Sequence, residues 1–190
     1  MSRRRQIDRD TILDAALLVA DEHGLDAVTM QAVAQRLTVT PMALYRHMDG
    51  KQALLDGLVE QLLTSFPLPS ADEPWADRLT ATATAMRTTA RAHPTVFPLL
   101  LTRPAMTPAA RRVRDFVQAA LREAGLDEAA AARAERLMST TVLGFAASEA
   151  AGRFRHHSQA VIDQDFATLL RWLRLAISPG ATPDVVLDEP

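Results

Sequence analysis

The stretch TMQAVAQRLTVTPMALYRHM, residues 29–48, determines how the N-terminal part of this chain folds. Thr29 is a suitable N-cap for a short helix that reaches Leu37. After a three-residue break, Pro41 occupies the first position of a second helix, where a missing N–H is tolerated, with Thr40 as its cap. This second helix is predicted to end near Met48. Two short helices joined in this way predict a helix-turn-helix, whose second helix enters the DNA major groove.

The second helix of this pair has an outward face that suits DNA. Leu44 and Met48, four residues apart, are predicted to face the core. The outward face then consists of Pro41, Met42, Ala43, Tyr45, Arg46 and His47. Exposed Met, Ala and Tyr side chains suit thymine methyl groups and sugar-phosphate edges better than they suit plain solvent. Arg46 is suited to a guanine, and Tyr45, His47 and Lys51 are suited to phosphates.

Basic residues are concentrated in this stretch although the formal net charge of the chain is only −2. No acidic residue lies between Asp26 and Asp49, whereas Arg36, Arg46 and His47 do lie there. Such a local excess of positive charge favours contact with nucleic acid. An ordinary pair of packed helices in an all-α domain is the alternative that these residues alone leave open.

The composition is that of a soluble globular protein, with 48% hydrophobic and 23% charged residues. The absence of cysteine excludes disulfides and thiolate chemistry. No apolar run approaches the roughly 18 residues that cross a bilayer, and no hydrophobic segment follows the basic start of the chain. We therefore expect a cytoplasmic protein that has no membrane partner.

Helical periodicity extends along nearly the whole chain and predicts an all-α fold. The proline-rich segment FPLPSADEP, residues 66–74, is the predicted boundary between one unit at 1–66 and a second at 67–190. A disordered tail is expected from Ser178 onward. The longer predicted helices run from Asp8 to His23, Lys51 to about Ser65, Trp75 to Ala92, Thr107 to Ala124, Asp127 to about Phe154, and through Phe166 to Ile177.

The N-terminal unit resembles a known family over its whole length. The segments 29–37, 44–48 and 51–55, together with Val39, are similar to the N-terminal domain of the tetracycline-repressor (TetR) family, and the resemblance runs without a gap from Ile7 to Leu63. It implies a three-helix helix-turn-helix DNA-binding domain that binds double-stranded operator DNA. The DNA-binding residues expected from the resemblance and the helix pattern are Thr29, Gln31, Thr40, Pro41, Met42, Ala43, Tyr45, Arg46, His47 and Lys51. The tetracycline repressors themselves carry tryptophan in place of Arg46, so their operator is not expected here.

The second unit resembles the C-terminal domain of the tetracycline-repressor branch more loosely. The matching pieces are Pro74-Trp75, Ala92-His93-Pro94, Thr102-Arg103-Pro104, Leu121 to Gly125 and Leu143-Gly144-Phe145. The resemblance implies a helical domain that binds an effector and dimerises. Effector binding in that family tilts the fourth helix and changes the spacing of the two recognition helices.

The residues that chelate magnesium–tetracycline in that branch have no counterpart here. Leu99 takes the place of the histidine and Ser148 that of the glutamate, while Glu149 is turned by about 100° on its helix. We therefore expect no metal and no cofactor, and a small, largely apolar effector instead. The expected pocket residues are Met86, Ala90, Phe97, Leu101, Met106, Phe116, Leu137, Thr141, Phe145 and Ser148. For each of them, plain core packing is the alternative.

The last predicted helix has a wide apolar face, which suits a homodimer interface built with the helix before it. Taken together, these features predict a homodimeric repressor released from a palindromic operator by a small effector. A helical ligand sensor that acts as an activator, or without DNA, is the alternative. An enzyme is not expected, because no nucleophilic cysteine, phosphate-binding glycine loop or paired-histidine zinc motif is present.

Overall fold

The computed structural model describes residues 7–103 and 107–177, and within these ranges every regular element is helical. Pro104, Met106 and the tail predicted from Ser178 lie outside the described residues. The all-α fold expected from the sequence is therefore confirmed. The helices are α1 (Arg9–His23), α2 (Met30–Arg36), α3 (Pro41–Tyr45), α4 (Lys51–Ser65), α5 (Trp75–Ala92), α6 (Leu99–Thr102), α7 (Pro108–Glu123), α8 (Glu128–Ala150) and α9 (Gln159–Ile177), with a short 3-10 turn at Leu25–Ala27.

Local capping signals set most of the helix starts. The carboxylate of Asp8 accepts from the Thr11 N–H at 2.8 Å, and Thr29 Oγ1 accepts from the Ala32 N–H at 3.0 Å. The side chain of Asp127 caps α8 in the same way. Each bond satisfies an N–H that the first helical turn leaves without a partner. Thr40 differs from the prediction, because it precedes Pro41 but its side chain makes no capping hydrogen bond.

Two helices are shorter than predicted. α3 ends at Tyr45 rather than near Met48, because the N–H groups of His47 and Met48 both turn back to the Leu44 carbonyl. α8 ends at Ala150 rather than near Phe154, and Gly152 follows in the left-handed region with φ 75°. A left-handed residue stops the helical hydrogen-bond ladder, and glycine adopts it at little cost.

One hydrophobic core joins α1 to α4 and also receives residues from the second unit. Ile12, Leu44 and Leu58 are fully buried in it, and Gly57 of α4 lies so close to Leu13 of α1 that a side chain there would collide with it. Val96 and Leu99, from the segment that ends in α6, pack into this same core. The N-terminal unit and the segment around α6 are therefore in direct apolar contact.

The second unit is a helical bundle in which α5, α7 and α8 pack on one another, and α9 packs on α5 and α8. α9 is held by an ionic cluster in which Arg87 pairs with Glu149 at 2.5 Å and with Asp163 at 2.7 Å, while Arg91 pairs with the same two acids. The Arg87 guanidinium also lies 4.7 Å from the centre of the Phe166 ring. Among the described helices none has the length and apolar character that a membrane span requires.

Candidate DNA-binding surface and effector cavity

The exposed face of α3 has the composition that its spacing predicts. Leu44 and Met48 are buried in the N-terminal core, whereas Met42 is 70% exposed and Tyr45 is 51% exposed. Of the ten residues expected to bind DNA, Ala43 and Lys51 are half-buried and the rest are exposed, namely Thr29, Gln31, Thr40, Pro41, Met42, Tyr45, Arg46 and His47. α2 packs against α3, and both are anchored in the core. The core thus fixes both helices while the outward face of α3 stays accessible to solvent, and a helix presented in this way suits a major groove.

The charge on this surface differs in one respect from the sequence expectation. Arg36 lies in the acid-free stretch, but α1 supplies Glu22, which binds its guanidinium through two hydrogen bonds of 2.6 and 2.7 Å. Their hydrogen bond raises the pKa of Arg36 and lowers that of Glu22. Arg46, in contrast, makes no ion pair with any residue in the described ranges. Its charge is available to DNA in a way that the charge of Arg36 is not.

Lys51 opens α4 close to this surface. Its ammonium donates to the carbonyl of Asp26 at 3.3 Å, which leaves two of its three N–H groups for other acceptors. Because it stands at a helix N-terminus, a phosphate bound beside it would also meet the free N–H groups of the first turn.

A cavity of about 370 Å³ lies where the two units meet. Its walls come from α4 to α8, and most of them are apolar. The lining residues are Leu62, Leu63, Phe66, Met86, Thr89, Phe97, Leu100, Leu101, Ala110, Val113, Arg114, Glu135, Arg136, Ser139, Thr140 and Leu143. A cavity of this size and character is typical of small-molecule sites.

Three of the expected pocket residues, Met86, Phe97 and Leu101, line this cavity. Thr141, Phe145 and Ser148 instead line a separate open groove between α8 and α9, beside Trp172. The structure therefore does not bring these two groups together.

The other expected pocket residues lie elsewhere. Ala90 is fully buried against Phe97, and Phe116 lies under the guanidinium of Arg78 at 5.9 Å. Leu137 is 65% exposed, and Met106 falls outside the described residues.

The sequence reasoning missed both the α4 wall and the polar wall of the cavity. Leu62 and Leu63 belong to α4 and Phe66 directly follows it, and nothing local shows that they face the second unit. Glu135 left a detectable signal, because it falls on the buried stripe of α8 that contains Ala131, Val142 and Ala146. An acid on a buried stripe is unusual unless it is paired.

Leu99 and Ser148, which the sequence resemblance places at the magnesium-chelating positions of the tetracycline repressors, lie on different parts of the molecule. Leu99 is packed in the N-terminal core, and Ser148 lines the groove beside α9. Within the described ranges, no group of three histidine or acidic side chains is placed to hold a metal ion.

Polar contacts join the cavity walls to α4. Arg103, which follows α6, donates to the side-chain oxygen of Gln52 at 2.5 Å and also pairs with Asp56. Arg112 of α7 donates to carbonyls at the end of α4, including those of Leu63 and Phe66, each at 3.0 Å. These bonds hold α4 at both ends by residues of the second unit.

Comparisons with known proteins agree with this geometry. Residues 12–58 match the family model of bacterial regulatory proteins of the tetR family, and residues 79–173 match that of the tetracyclin repressor-like C-terminal domain. An HTH-type transcriptional regulator of Saccharopolyspora erythraea is 30% identical over 166 residues, which are 87% of this chain and 70% of that protein. The class D tetracycline repressor of Escherichia coli is 35% identical over 85 residues, which are 43% of this chain and only 39% of the repressor.

Solved structures show the same similarity over nearly the full chain. Mycobacterium smegmatis BioQ superimposes with a TM-score of 0.78 at 25% identity, covering 90% of this chain and 98% of BioQ. A structure of BioQ with its double-stranded DNA operator superimposes with a TM-score of 0.75 at 25% identity, covering 94% of this chain and all of that one.

Proposed function

The chain belongs to the tetR family of bacterial regulatory proteins and is a helix-turn-helix transcriptional regulator, and we propose that it works as a homodimeric repressor. In this proposal the dimer binds a palindromic operator in the cytoplasm and leaves it when a small, largely apolar molecule enters the cavity beside α4. The observation that carries the proposal is the exposed face of α3, where Met42, Tyr45 and Arg46 project from a buried anchor at Leu44. The BioQ–operator structure supports it, because the fold of this chain matches that of a protein bound to DNA.

In this proposal the residues that contact DNA fall into two groups, those that suit bases and those that suit phosphates. Arg46 has no ion-pair partner in the described ranges and suits the two acceptors of a guanine, while Met42 and Ala43 suit thymine methyl groups. Tyr45, His47 and Lys51 suit phosphates, and the N-terminus of α4 adds its N–H groups to the same site. Thr29, Gln31, Thr40 and Pro41 flank these contacts from α2 and from the turn.

The dimer is proposed on an exposed apolar stripe of α9. Val161, Trp172 and Leu175 recur at helical spacing on one side of this helix, and Trp172 and Leu175 are 66% and 64% exposed. The open groove between α8 and α9 runs beside Trp172. Two copies related by a twofold axis would cover this stripe with the α8 and α9 of the partner, and large exposed apolar patches usually mark such contacts.

Release from DNA is proposed to act through α4. A molecule in the cavity contacts Leu62 on α4, Phe66 at the C-terminal end of α4, and Leu100 and Leu101 on α6. Arg103 joins the end of α6 to the start of α4, so a change in the spacing of the two helices is transmitted towards the DNA-binding unit. Because dimer half-sites lie about 34 Å apart, a shift of a few ångströms in the two recognition helices removes the fit.

The test is footprinting of the purified protein on the intergenic DNA next to its own gene. The proposal expects a protected palindrome, which is lost in Tyr45→Ala and Arg46→Ala while helicity and dimer mass are kept. Arg155→Ala, in the turn after α8, is the matched control and should protect the site normally. Normal protection by both α3 variants would overturn the assignment of the reading helix.

A further inference from the structure

Glu135 is the one buried charge in the wall of the cavity, as far as the described residues show. Glu135 is 9% exposed, and leucine, phenylalanine and valine make up half of the residues that line the cavity. No cation of the described ranges lies within ion-pair distance of its carboxylate. The Ser139 hydroxyl lies near enough to lower the pKa of Glu135, but its single proton is donated to the carbonyl of Arg136 at 3.3 Å. The carboxylate thus lacks a strong partner in this part of the chain.

Burial raises the pKa of Glu135, and the opposing effects of Ser139, Arg114 and Arg136 are smaller. A charge taken out of water and left without a counter-ion is costly, whereas the same charge beside a cation is stabilised. The cavity is therefore better suited to a ligand that brings a cation or donor to this point than to one that is apolar throughout.

Two arginines also line the cavity, and they act at its outer edge. Arg136 is exposed and Arg114 is half-buried, so water hydrates their guanidinium groups. An exposed cation gains little from a new ion pair, because the pair forms in high dielectric and replaces good hydration. The buried carboxylate gains more, which makes Glu135 rather than the arginines the group that selects the ligand.

We propose that the effector is an amphipathic amine, whose protonated nitrogen pairs with Glu135 while its apolar body lies between α4 and α6. This inference rests on the proposed function in so far as the cavity is the effector site. A ligand seated in this way contacts α8 through its amine, and Leu62 and Phe66 at the C-terminal end of α4 through its apolar part. It therefore bridges the second unit and the helix that follows the DNA reader.

The test uses three probes with one apolar body: 4-phenylbutylamine, 4-phenylbutan-1-ol and 4-phenylbutyrate. Their binding to the full-length protein is measured by titration calorimetry near neutral pH. We expect the amine to bind at least about tenfold more tightly than the alcohol and the carboxylate, since a charge-assisted hydrogen bond to a partly buried carboxylate distinguishes them. Tighter binding of the carboxylate, equal binding of all three, or binding of none would overturn the proposal.

Two variants and a control test whether the preference for the amine depends on the Glu135 carboxylate. Glu135→Gln keeps the shape and should reduce the preference for the amine to less than about threefold, because the charge is gone. Glu128→Gln, an exposed acid at the start of the same helix, should keep the full preference. Arg114→Gln keeps Glu135 and removes a nearby cation, so it should increase the preference. An undiminished preference in folded Glu135→Gln would contradict the assignment.

The two proposals fail separately. Operator protection without any probe tests the regulator, and the calorimetric ranking of the probes tests the amine site. If the operator is bound and the amine is not preferred, only the ligand class is wrong. If the amine is preferred and no DNA is bound, only the proposed function is wrong.

Discussion

Arg103 donates to the side-chain oxygen of Gln52 at 2.5 Å and pairs with Asp56, which joins the residue after α6 to the first two turns of α4. Leu100 and Leu101, immediately before it, line the cavity. The same short segment thus lines the cavity with one part and holds α4, the helix that follows the helix-turn-helix, with another.

Removing this connection should weaken DNA binding in the absence of any ligand. In Arg103→Ala, α4 loses the contact that sets its position relative to α6, and we expect operator affinity to fall by about threefold to tenfold. Fluorescence anisotropy with labelled operator at fixed salt concentration measures this affinity. Arg155→Ala is the control, and an Arg103→Ala affinity equal to that of the control would show that the contact does not position α4.

Arg46 and Arg36 form a matched pair for testing the DNA-reading surface. Both are exposed arginines of the helix-turn-helix, but Glu22 already neutralises Arg36, whereas Arg46 has no such partner in the described ranges. Arg46→Ala should lower affinity for the operator by about tenfold to a hundredfold while non-specific binding changes little. Arg36→Ala should change the affinity for the operator by less than about threefold. Competition with unrelated DNA separates the two kinds of binding, and equal losses in both variants would argue against Arg46 as a base reader.

Lys51 is expected to bind a phosphate, which predicts a change in salt dependence rather than in specificity. The slope of log affinity against log salt should become shallower by about one unit in Lys51→Gln, because one phosphate contact fewer releases about one counterion fewer. The ratio of specific to non-specific binding should stay the same. An unchanged slope would show that the Lys51 ammonium, already bonded to the carbonyl of Asp26, does not reach DNA.

The ionic cluster around Glu149 makes stability depend on acid pH. Burial alone would raise the pKa of Glu149, but hydrogen bonds from Arg87, Arg91 and Gln159 together outweigh it and lower the pKa to about 2. A carboxyl whose pKa is lower in the folded state stabilises the protein above its unfolded pKa, near 4.5, and loses this contribution as the pH falls towards 2. The contribution at neutral pH is about 3 kcal/mol at most.

Denaturant unfolding of Glu149→Gln and wild type at several pH values tests this prediction. The variant should be less stable by about 3 kcal/mol at pH 7, partly because Arg87 loses its main partner, and the difference should shrink between pH 4.5 and pH 2. Glu128→Gln should follow the wild type throughout. A difference that is constant with pH would mean that Glu149 acts by packing and not by its charge.

The apolar stripe of α9 predicts the oligomeric state. Trp172→Glu combined with Leu175→Glu should turn the dimer into a monomer in sedimentation experiments, because buried unpaired charges oppose association. Ala167→Glu places the same charge on an exposed part of the same helix away from the stripe and should leave the dimer intact. A double variant that remains dimeric at micromolar concentration would assign the interface to another surface.

The helix-turn-helix was predictable because its signals are local. Thr29 caps α2 through a residue three positions on, Pro41 begins α3, and Leu44 faces the core by helical spacing alone. The end of α3 was predicted less well, since the bonds of His47 and Met48 back to Leu44 are one of several ways to close a short helix.

The cavity was not predictable in the same way. Residue spacing shows which face of a helix is buried but not which helix covers that face. Met86 and Phe145 were therefore both predicted to line one pocket, although Met86 lines the cavity and Phe145 lines the groove beside α9. The prediction of free positive charge from the acid-free stretch was limited in the same way. Glu22 lies fourteen positions before Arg36 and becomes its partner only when α1 and α2 pack.

The sequence by itself determined that the chain is helical, that residues 29–48 form a helix-turn-helix, and that Leu44 and Met48 anchor it, because these follow from interactions over three or four residues. Only the tertiary structure decided that α4 walls the cavity, that Arg103 holds α4, and that Glu135 is buried without a counter-ion in the described ranges. Those relationships join residues from separate helices. They are set by how apolar faces pack in three dimensions, which the order of residues along one helix does not specify.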